Sequence, residues 1–230
     1  MEKLAVILPA AGRSARFGGT RGKLVETLAG KSVIRHAAEA FLRRQDVAEL
    51  IVATQPPASE SGDLPLESFD PRIRFTPGGA NRAQSVRAAL LAVSPAVSWV
   101  AVHDAARPLV SQDLIDRVFA AAREHGAAAP ALAVALTVKQ ADGPLPAKVQ
   151  RTLPRHTLWA MQTPQIMRRT DLLRAYETCP LHLEQVTDDA QLLELAGRDV
   201  WLVPGEERNL KITTRADLRL AESWVSDESK

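Results

Sequence analysis

The stretch AVILPAAGRSARFGGTRGK, residues 5–23, joins a short apolar run to a loop of glycines and cations. After the Pro-Ala-Ala-Gly string the loop holds three arginines, three glycines and one lysine, and it contains no acidic residue. A short apolar run that ends in turn residues is typical of a buried β-strand. The stretch therefore predicts a strand at residues 3–8, and after it a flexible loop that carries only positive charge.

Outside this stretch, short apolar runs alternate with longer amphipathic segments. The apolar runs predict further strands at residues 49–54, 72–76, 99–103, 129–136 and 199–203. The amphipathic segments predict helices at residues 32–44, 81–93, 111–126 and 187–196, and a last helix from Thr214. This alternation indicates an α/β fold of Rossmann-like design, with a mainly parallel sheet and helices on both of its faces. Since ligands of such sheets bind at the carboxyl ends of the strands, the cationic loop should lie in the ligand crevice.

Residues 137–155 interrupt the alternation. They contain three prolines and an Asp-Gly pair, with polar and apolar residues mixed around them. Turn signals of this kind between short extended runs predict a hairpin. We therefore expect one domain, residues 1–230, from which a β-arm at residues 137–155 protrudes.

The composition limits the classes of function. The chain has 230 residues, with 29 lysines and arginines against 27 acidic residues, and only 4% are aromatic. A balanced charge and few aromatic residues argue against a nucleic-acid partner, and no apolar run is long enough to span a membrane. Cys179 is the single cysteine, which excludes an intrachain disulfide and favours a cytoplasmic protein. The five histidines lack metal-ligand spacing, so we expect no zinc site.

The cationic loop has the composition of an anion-binding site. Its glycines let backbone N–H groups approach a ligand closely, and its three arginines and Lys23 add full charges. The P-loop pattern G-x-x-x-x-G-K-[ST] is absent, because Leu24 follows Lys23 and Phe17 stands where the first glycine is required. The pattern G-x-G-x-x-G is absent too, which disfavours an NAD-dependent oxidoreductase. A polyphosphate ligand is the favoured interpretation, and an exposed loop whose charges are merely solvated is the alternative.

The string PAAGRSARFGGTRGK, residues 9–23, resembles the nucleotide loop of enzymes that transfer a nucleotide to a phosphorylated sugar or polyol. Later strings follow in the order of one subgroup of these enzymes: GGANRAQSV (78–86), VHDAARP (102–108), TPQ (163–165), TDDA (187–190) and NLKIT (209–213). Together the strings extend over nearly the whole chain. The chain thus resembles the 2-C-methyl-D-erythritol 4-phosphate cytidylyltransferase family of the non-mevalonate isoprenoid pathway.

Two positions depart from the usual pattern of this family. Gly22-Lys23-Leu24 stands where Pro-Lys-Gln is usual, and the glycine loosens the loop before the lysine. Asn81 stands where an acidic residue is common, which removes a charge and keeps a helix cap.

The resemblance implies a role for each matching residue. The implied catalytic residues form two pairs. Arg16 and Lys23 would stabilise charge on the α-phosphate and the leaving group, and Arg155 and Lys211 would hold the phosphate that acts as nucleophile. The implied nucleotide contacts are Pro9, Ala10, Ala11, Gly12, Arg13, Gly78, Gly79, Asn81, Ser85 and Ala105. The implied contacts of the acceptor are Asp104, Arg107, Thr137, Arg155, Thr187 and Lys211. Asp104 is also the candidate for a contact with Mg²⁺, a cofactor that would be held mainly by substrate phosphates.

The implied reaction joins CTP to 2-C-methyl-D-erythritol 4-phosphate and releases pyrophosphate. The nucleophile is a phosphate oxygen that is already ionised near neutral pH, so no general base is required. In this family the arm crosses to a neighbouring subunit, which implies a homodimer with shared active sites. Two alternatives stay open: a cytidylyltransferase for another polyol phosphate such as ribitol 5-phosphate, and a nucleotide-binding regulatory subunit without turnover.

Overall fold

The structure of the protein is a computed structural model, which describes residues 2–12, 17, 22–54, 66 and 69–227. Most of the cationic loop between Gly12 and Gly22 lies outside these ranges, as do residues 55–65.

The strands are β1 (Leu4–Pro9), β2 (Thr27–Leu28), β3 (Lys31–Ser32), β4 (Val47–Thr54), β5 (Ile73–Pro77), β6 (Trp99–Val102), β7 (Ala127–Ala133), β8 (Val138–Ala141), β9 (Val149–Leu153), β10 (Trp159–Met161), β11 (Gln165–Arg168) and β12 (Trp201–Pro204). The α-helices are α1 (Val33–Leu42), α2 (Arg82–Ala92), α3 (Gln112–His125), α4 (Arg169–Thr178), α5 (Asp189–Leu195) and α6 (Arg215–Asp227).

The main sheet contains eight of the described strands, and β1 lies inside it between β4 and β6. β1 pairs in parallel with both of these neighbours, and the pairs β4–β5 and β7–β12 are parallel as well. β10 runs antiparallel to β7, and β11 runs antiparallel to both β6 and β7. The predicted α/β fold with a mainly parallel sheet is confirmed. The strands β10 and β11 form an antiparallel part of the same sheet.

The apolar run of β1 is continuous because both faces of the strand are covered. Leu4, Val6 and Leu8 point into a core that contains residues of α1 and α3. Ala5 and Ile7 point into a second core, which contains residues of α2, α4 and α5. All five side chains have no exposed surface. A strand buried on both faces carries no polar alternation, which explains the apolar run that the sequence shows here.

The helix ends follow the capping residues of the sequence. The Ser111 hydroxyl accepts a hydrogen bond from the Leu114 N–H at the start of α3, and Gly126 ends the helix with a φ of 94°. Only glycine adopts such a backbone conformation without strain. At the start of α2 the Asn81 side chain accepts from the Gln84 N–H, as predicted. The Gln84 side chain accepts from the Ala80 N–H instead of completing a capping box with Asn81.

The predicted arm is an antiparallel hairpin, formed by β8 and β9, that makes its own two-stranded sheet. Leu136 and Leu145, before and within the hairpin, are 80% and 88% exposed. The hairpin is thereby confirmed, whereas its use in dimerisation stays a prediction. None of the helices in the described ranges combines the length and the apolar character that crossing a bilayer requires.

Candidate active site

A cavity of about 750 Å³ opens at the carboxyl ends of β1, β5 and β6. This is the crevice in which open α/β sheets bind ligands. The predicted site residues that line it are Pro9, Ala10, Ala11, Gly12, Lys23, Gly78, Gly79, Asn81, Ser85, Asp104, Ala105 and Lys211. Arg13 and Arg16 lie outside the described residues. Arg107, Thr137, Arg155 and Thr187 are described, and they do not line the cavity.

One wall of the cavity is the chain that leaves β1. The Ala10 N–H donates to the Ala53 carbonyl of β4 at 2.7 Å, so the loop begins as an extension of the sheet. Ala10, Ala11 and Gly12 then present small side chains or none to the cavity. A wall of small residues lets a ligand approach the backbone closely, which suits a phosphorylated ligand. Lys23 lines the same cavity and brings a positive charge to it.

The second wall is the turn from β5 into α2. A side chain on Gly78 would overlap the Cβ of Ala11, so the two walls touch at this point. The Ser85 hydroxyl accepts from the Gly79 N–H at 3.0 Å and donates to the Asn81 carbonyl at 2.8 Å. Ser85 therefore holds the turn together from the first part of α2, besides facing the cavity.

Asp104 is the centre of the charged wall. Its carboxylate oxygens lie 2.8 Å from Lys211 Nζ, 3.2 Å from Arg82 Nε and 3.5 Å from Arg107 Nε. Burial by itself would raise the pKa of Asp104, but the charges of Arg82, Lys211 and Arg107 lower this pKa well below its usual range. Asp104 is therefore ionised at neutral pH, and it holds Lys211 at the edge of the cavity.

Backbone pairing brings Lys211 to this wall. The Ile212 N–H donates to the Ala106 carbonyl at 2.8 Å, so the NLKIT string runs beside the VHDAARP string. Arg107 also connects the two strings, since its Nη1 donates to the Asn209 carbonyl at 2.7 Å. The Arg107 guanidinium is buried and acts in this structure as a tie between the two strings.

The backbone of Asp104 is fixed by two residues that the site predictions omitted, His103 and Thr163. The Thr163 hydroxyl accepts from the Asp104 N–H at 3.0 Å and donates to His103 Nδ1 at 3.1 Å. His103 Nε2 lies 3.0 Å from the Arg107 carbonyl, which can only accept, so Nε2 carries the proton. His103 is fully buried, and burial lowers its pKa from 6.5 to about 4. The imidazole is thus neutral, and it closes the turn between residues 103 and 107.

Arg82 is a cavity residue that the site predictions also omitted. Besides Asp104, its guanidinium contacts the buried Asp189, with 2.8 Å between Nη1 and Oδ2. A cation at the first residue of a helix opposes the helix dipole. Arg82 begins α2, and this unfavourable position was the available signal that carboxylates lie nearby.

The remaining predicted acceptor residues lie on exposed segments of the chain. Thr137 and Arg155 lie at the two ends of the arm, on either side of the hairpin, and the Arg155 guanidinium donates to the Ala135 carbonyl. The Thr187 hydroxyl donates to the Gln191 side chain at 3.2 Å. The Asp188 side chain accepts from the Gln191 N–H and caps α5, so Thr187 lies just before the helix.

The cavity offers little to a metal ion that the protein alone would hold. Asp104 is the single carboxylate among the described residues that line it. The described part of the chain has no group of three His, Cys, Asp or Glu side chains placed to hold a metal. Mg²⁺ commonly binds through one carboxylate or two together with substrate phosphates and water. The donor set is consistent with a Mg²⁺ ion held mainly by phosphate oxygens of a ligand, and Asp104 is the carboxylate of the lining that could contact it.

An α/β sheet with a glycine-lined crevice, Lys23 in its lining and Lys211 held by Asp104 suits a ligand that carries phosphate groups, such as a nucleotide. Residues 4–227 match the family described as "IspD: 2-C-methyl-D-erythritol 4-phosphate cytidylyltransferase". The chain belongs to this family. The family resemblance seen in the sequence is therefore confirmed, and the ribitol 5-phosphate alternative is not favoured.

Individual relatives agree with this assignment. The chain is 41% identical over 225 residues to the 2-C-methyl-D-erythritol 4-phosphate cytidylyltransferase of Frankia casuarinae, covering 97% of this chain and 82% of the relative. It is also 41% identical over 231 residues to the "Bifunctional enzyme IspD/IspF" of Rhodospirillum rubrum, and it spans 59% of that longer protein. The crystal structure of the Thermus thermophilus cytidylyltransferase superposes with a TM-score of 0.79 at 35% identity, covering 98% of this chain and 100% of that one.

Proposed function

We propose that the chain transfers the cytidylyl group of CTP to 2-C-methyl-D-erythritol 4-phosphate and releases pyrophosphate. The family supports the reaction, and the observation that carries it is the cavity, which places Lys23 and Lys211 around a wall of small residues. The names of the relatives support methylerythritol phosphate as the acceptor.

The proposed chemistry is a displacement at the α-phosphorus of CTP. An ionised phosphate oxygen of the acceptor forms the new P–O bond, and the bond from the α-phosphorus to its bridging oxygen breaks. Pyrophosphate leaves with that electron pair. Because the nucleophile is already an anion, the barrier is mainly the repulsion between two negatively charged groups, which positioning and nearby cations reduce.

The nucleotide is proposed to lie along the two glycine-rich walls. Lys23 and Arg16 would offset negative charge on the α-phosphate and the leaving pyrophosphate. The small residues from Pro9 to Gly12, with Gly78 and Gly79, would let the nucleotide approach the backbone. Arg13, Asn81, Ser85 and Ala105 complete the proposed set of nucleotide contacts.

The acceptor is proposed to lie against the charged wall, near Asp104 and Lys211. Lys211 would bind the acceptor phosphate, and Asp104 its hydroxyl groups. Arg107 and Thr187 belong to the same proposed set. Thr137 and Arg155 stand outside the cavity of their own chain, so we propose that a second copy supplies them in a homodimer with shared sites.

Mg²⁺ is proposed as the divalent cofactor, held by phosphate oxygens of the nucleotide with Asp104 nearby. When bound, it neutralises charge on the phosphates and orients them. A cytoplasmic location is proposed as well, and the single cysteine is consistent with a reducing compartment.

The test is an assay of pyrophosphate release with CTP, Mg²⁺ and either 2-C-methyl-D-erythritol 4-phosphate or ribitol 5-phosphate. We expect turnover that depends on the first acceptor, with little release from the second. Faster release with ribitol 5-phosphate would reassign the acceptor. Tight CTP binding without turnover on either acceptor would favour the regulatory alternative.

A further inference from the structure

Asp189 is a buried carboxylate that the proposed chemistry does not use. It is the first residue of α5, is buried and does not line the cavity. A buried carboxylate needs specific partners, because its transfer from water is costly. Its Oδ2 lies 2.8 Å from Arg82 Nη1, and its Oδ1 lies 3.3 Å from the Tyr176 hydroxyl.

The surroundings of Asp189 hold it in one place. The backbone N–H groups of Asp189 and Ala190 both donate to Gln165 Oε1, at 3.0 and 2.9 Å. Gln165 belongs to β11, so the start of α5 is attached to the central sheet. The Tyr176 hydroxyl also lies 3.1 Å from the Ala83 carbonyl, which links α4 to α2. These contacts hold Asp189 in a fixed position next to Arg82, a residue that lines the cavity.

Arg82 connects the buried Asp189 to Asp104 on the cavity wall. Its Nη1 contacts Asp189 and its Nε contacts Asp104 Oδ1 at 3.2 Å. The guanidinium group is planar and rigid, so an anchor at one nitrogen sets the direction of the others. The side chain of Arg82 is 26% exposed, against 1% for Asp189, so the pair runs from the interior towards the crevice.

The two carboxylate oxygens of Asp104 contact different cations. Arg82 contacts Oδ1, and Lys211 contacts Oδ2 at 2.8 Å. If Arg82 lost its anchor, the Asp104 carboxylate could turn and Lys211 would shift with it. The acceptor side of the cavity would then change, whereas the nucleotide side, built on the Ala11–Gly78 contact, would stay as it is.

We propose that Asp189 is a positioning residue, which acts through Arg82 to orient Asp104 and Lys211 for the acceptor. This inference rests on the proposed function of the same cavity. Asp189 touches neither substrate in this arrangement, so its effect is confined to the acceptor side.

The test is the Asp189→Asn variant, which keeps the size of the side chain and removes its charge. We expect the KM for the acceptor to rise by about tenfold or more, because an ionic hydrogen bond that orients the site is lost. The KM for CTP should stay within about twofold of the wild type. A crystal structure of the variant is expected to show that the Asp104–Lys211 contact has moved. An unchanged contact together with an unchanged acceptor KM would overturn the proposal.

Two further variants separate positioning from stability. Glu49 is a matched buried carboxylate outside the cavity, where it contacts Arg74 at 2.9 Å and accepts from the Ser94 N–H at 2.7 Å. Glu49→Gln should lower stability without changing the acceptor KM. Arg82→Lys keeps the charge but cannot bridge both carboxylates, and it should repeat the effect of Asp189→Asn even if that variant fails to fold. The crystallographic readout remains informative if the wild type shows no turnover, an outcome that would reject the proposed function alone.

Discussion

Two neighbouring buried residues, His103 and Asp104, differ in charge, although burial disfavours the charged form of both. Asp104 stays charged because Arg82, Lys211 and Arg107 surround it. Both ring nitrogens of His103 are hydrogen-bonded when the ring is neutral, since Nδ1 accepts from the Thr163 hydroxyl and Nε2 donates to the Arg107 carbonyl. A protonated His103 would carry a hydrogen on Nδ1, which would require the Thr163 hydroxyl to reverse its role. The same turn therefore holds one charged and one neutral group.

This neutrality predicts a loss of stability in acid. The pKa of His103 is 6.5 without burial and about 4 in the folded chain. Because the unfolded chain binds the proton more readily, protonation favours unfolding, and stability falls as the pH drops from about 6.5 towards 4. The difference amounts to roughly 3 kcal/mol at most. We expect urea unfolding at pH 7 and pH 4.5 to show this loss.

The variant His103→Asn should lose part of that pH dependence while being less stable at pH 7. His182, an exposed histidine, provides the control, since His182→Asn should keep the wild-type pH dependence. The buried Asp189, whose pKa burial raises, is present in all three proteins, so its contribution cancels. Equal pH slopes for the wild type and His103→Asn would contradict the assignment.

Lys23 is the cation of the first loop that lies within the described residues, and it lines the cavity. If it offsets charge that develops in the transition state, Lys23→Met should lower kcat by roughly 100- to 1,000-fold with a small change in the KM for CTP. Steady-state pyrophosphate release measures both constants. Lys3→Met is the control, because Lys3 is exposed at the start of β1 and donates to the Gln45 carbonyl. Near-normal turnover by Lys23→Met would remove the lysine from the proposed chemistry.

At the scale of elements, the contact between the β1 loop and the β5–α2 turn fixes the width of the nucleotide side. Gly78 donates to the Thr54 carbonyl at 2.5 Å and leaves no room for a side chain next to Ala11. We expect Gly78→Ala to raise the KM for CTP by about tenfold or more, because the two walls must separate. The double variant Ala11→Gly with Gly78→Ala removes the overlapping methyl group and should recover part of the affinity. Absence of any recovery would argue that Gly78 acts in another way.

Elements with strong periodicity or a capping residue were predictable, whereas those defined by distant partners were not. β1 followed from an apolar run, and α3 followed from the amphipathic segment at residues 111–126. β11 is a four-residue strand that contains Gln165, and pairing with β6 and β7 stabilises it rather than its own pattern. The helix α4 also went unpredicted, and Arg168 precedes it without a side-chain cap.

The same distinction applies to the candidate site. Gly78, Asp104 and Lys211 lie in strings that the family resemblance singled out, so their place in the site could be predicted from the sequence. The pair Arg82–Asp189 joins residues 107 positions apart, and no local pattern reports such a contact. Arg82 at the first position of a helix was the one physical hint, since it opposes the dipole unless a carboxylate compensates.

At the scale of the whole molecule, the arm stands apart from the cavity that its residues are proposed to complete. Thr137 and Arg155 are exposed, and the hairpin between them makes a sheet separate from the main one. Leu136 and Leu145 leave large apolar surfaces in water, 80% and 88% of each residue. Exposed apolar side chains on a protruding hairpin are compatible with a partner surface. A homodimer in which each arm serves the opposite cavity would explain both features.

Sharing of this kind predicts complementation between two inactive variants. A heterodimer of Lys23→Ala and Arg155→Ala chains would contain one cavity with both defects and one cavity with neither. An equal mixture that re-equilibrates should regain about a quarter of the wild-type activity, because half of the dimers are mixed and each mixed dimer has one intact site. The control is the wild type mixed with the double variant Lys23→Ala/Arg155→Ala. Neither cavity of that heterodimer is intact, so re-equilibration of an equal mixture should lower the activity from about half to about a quarter of the wild-type value. Heterodimers that are isolated by two affinity tags and still lack activity would show that each cavity uses the Arg155 of its own chain, or none.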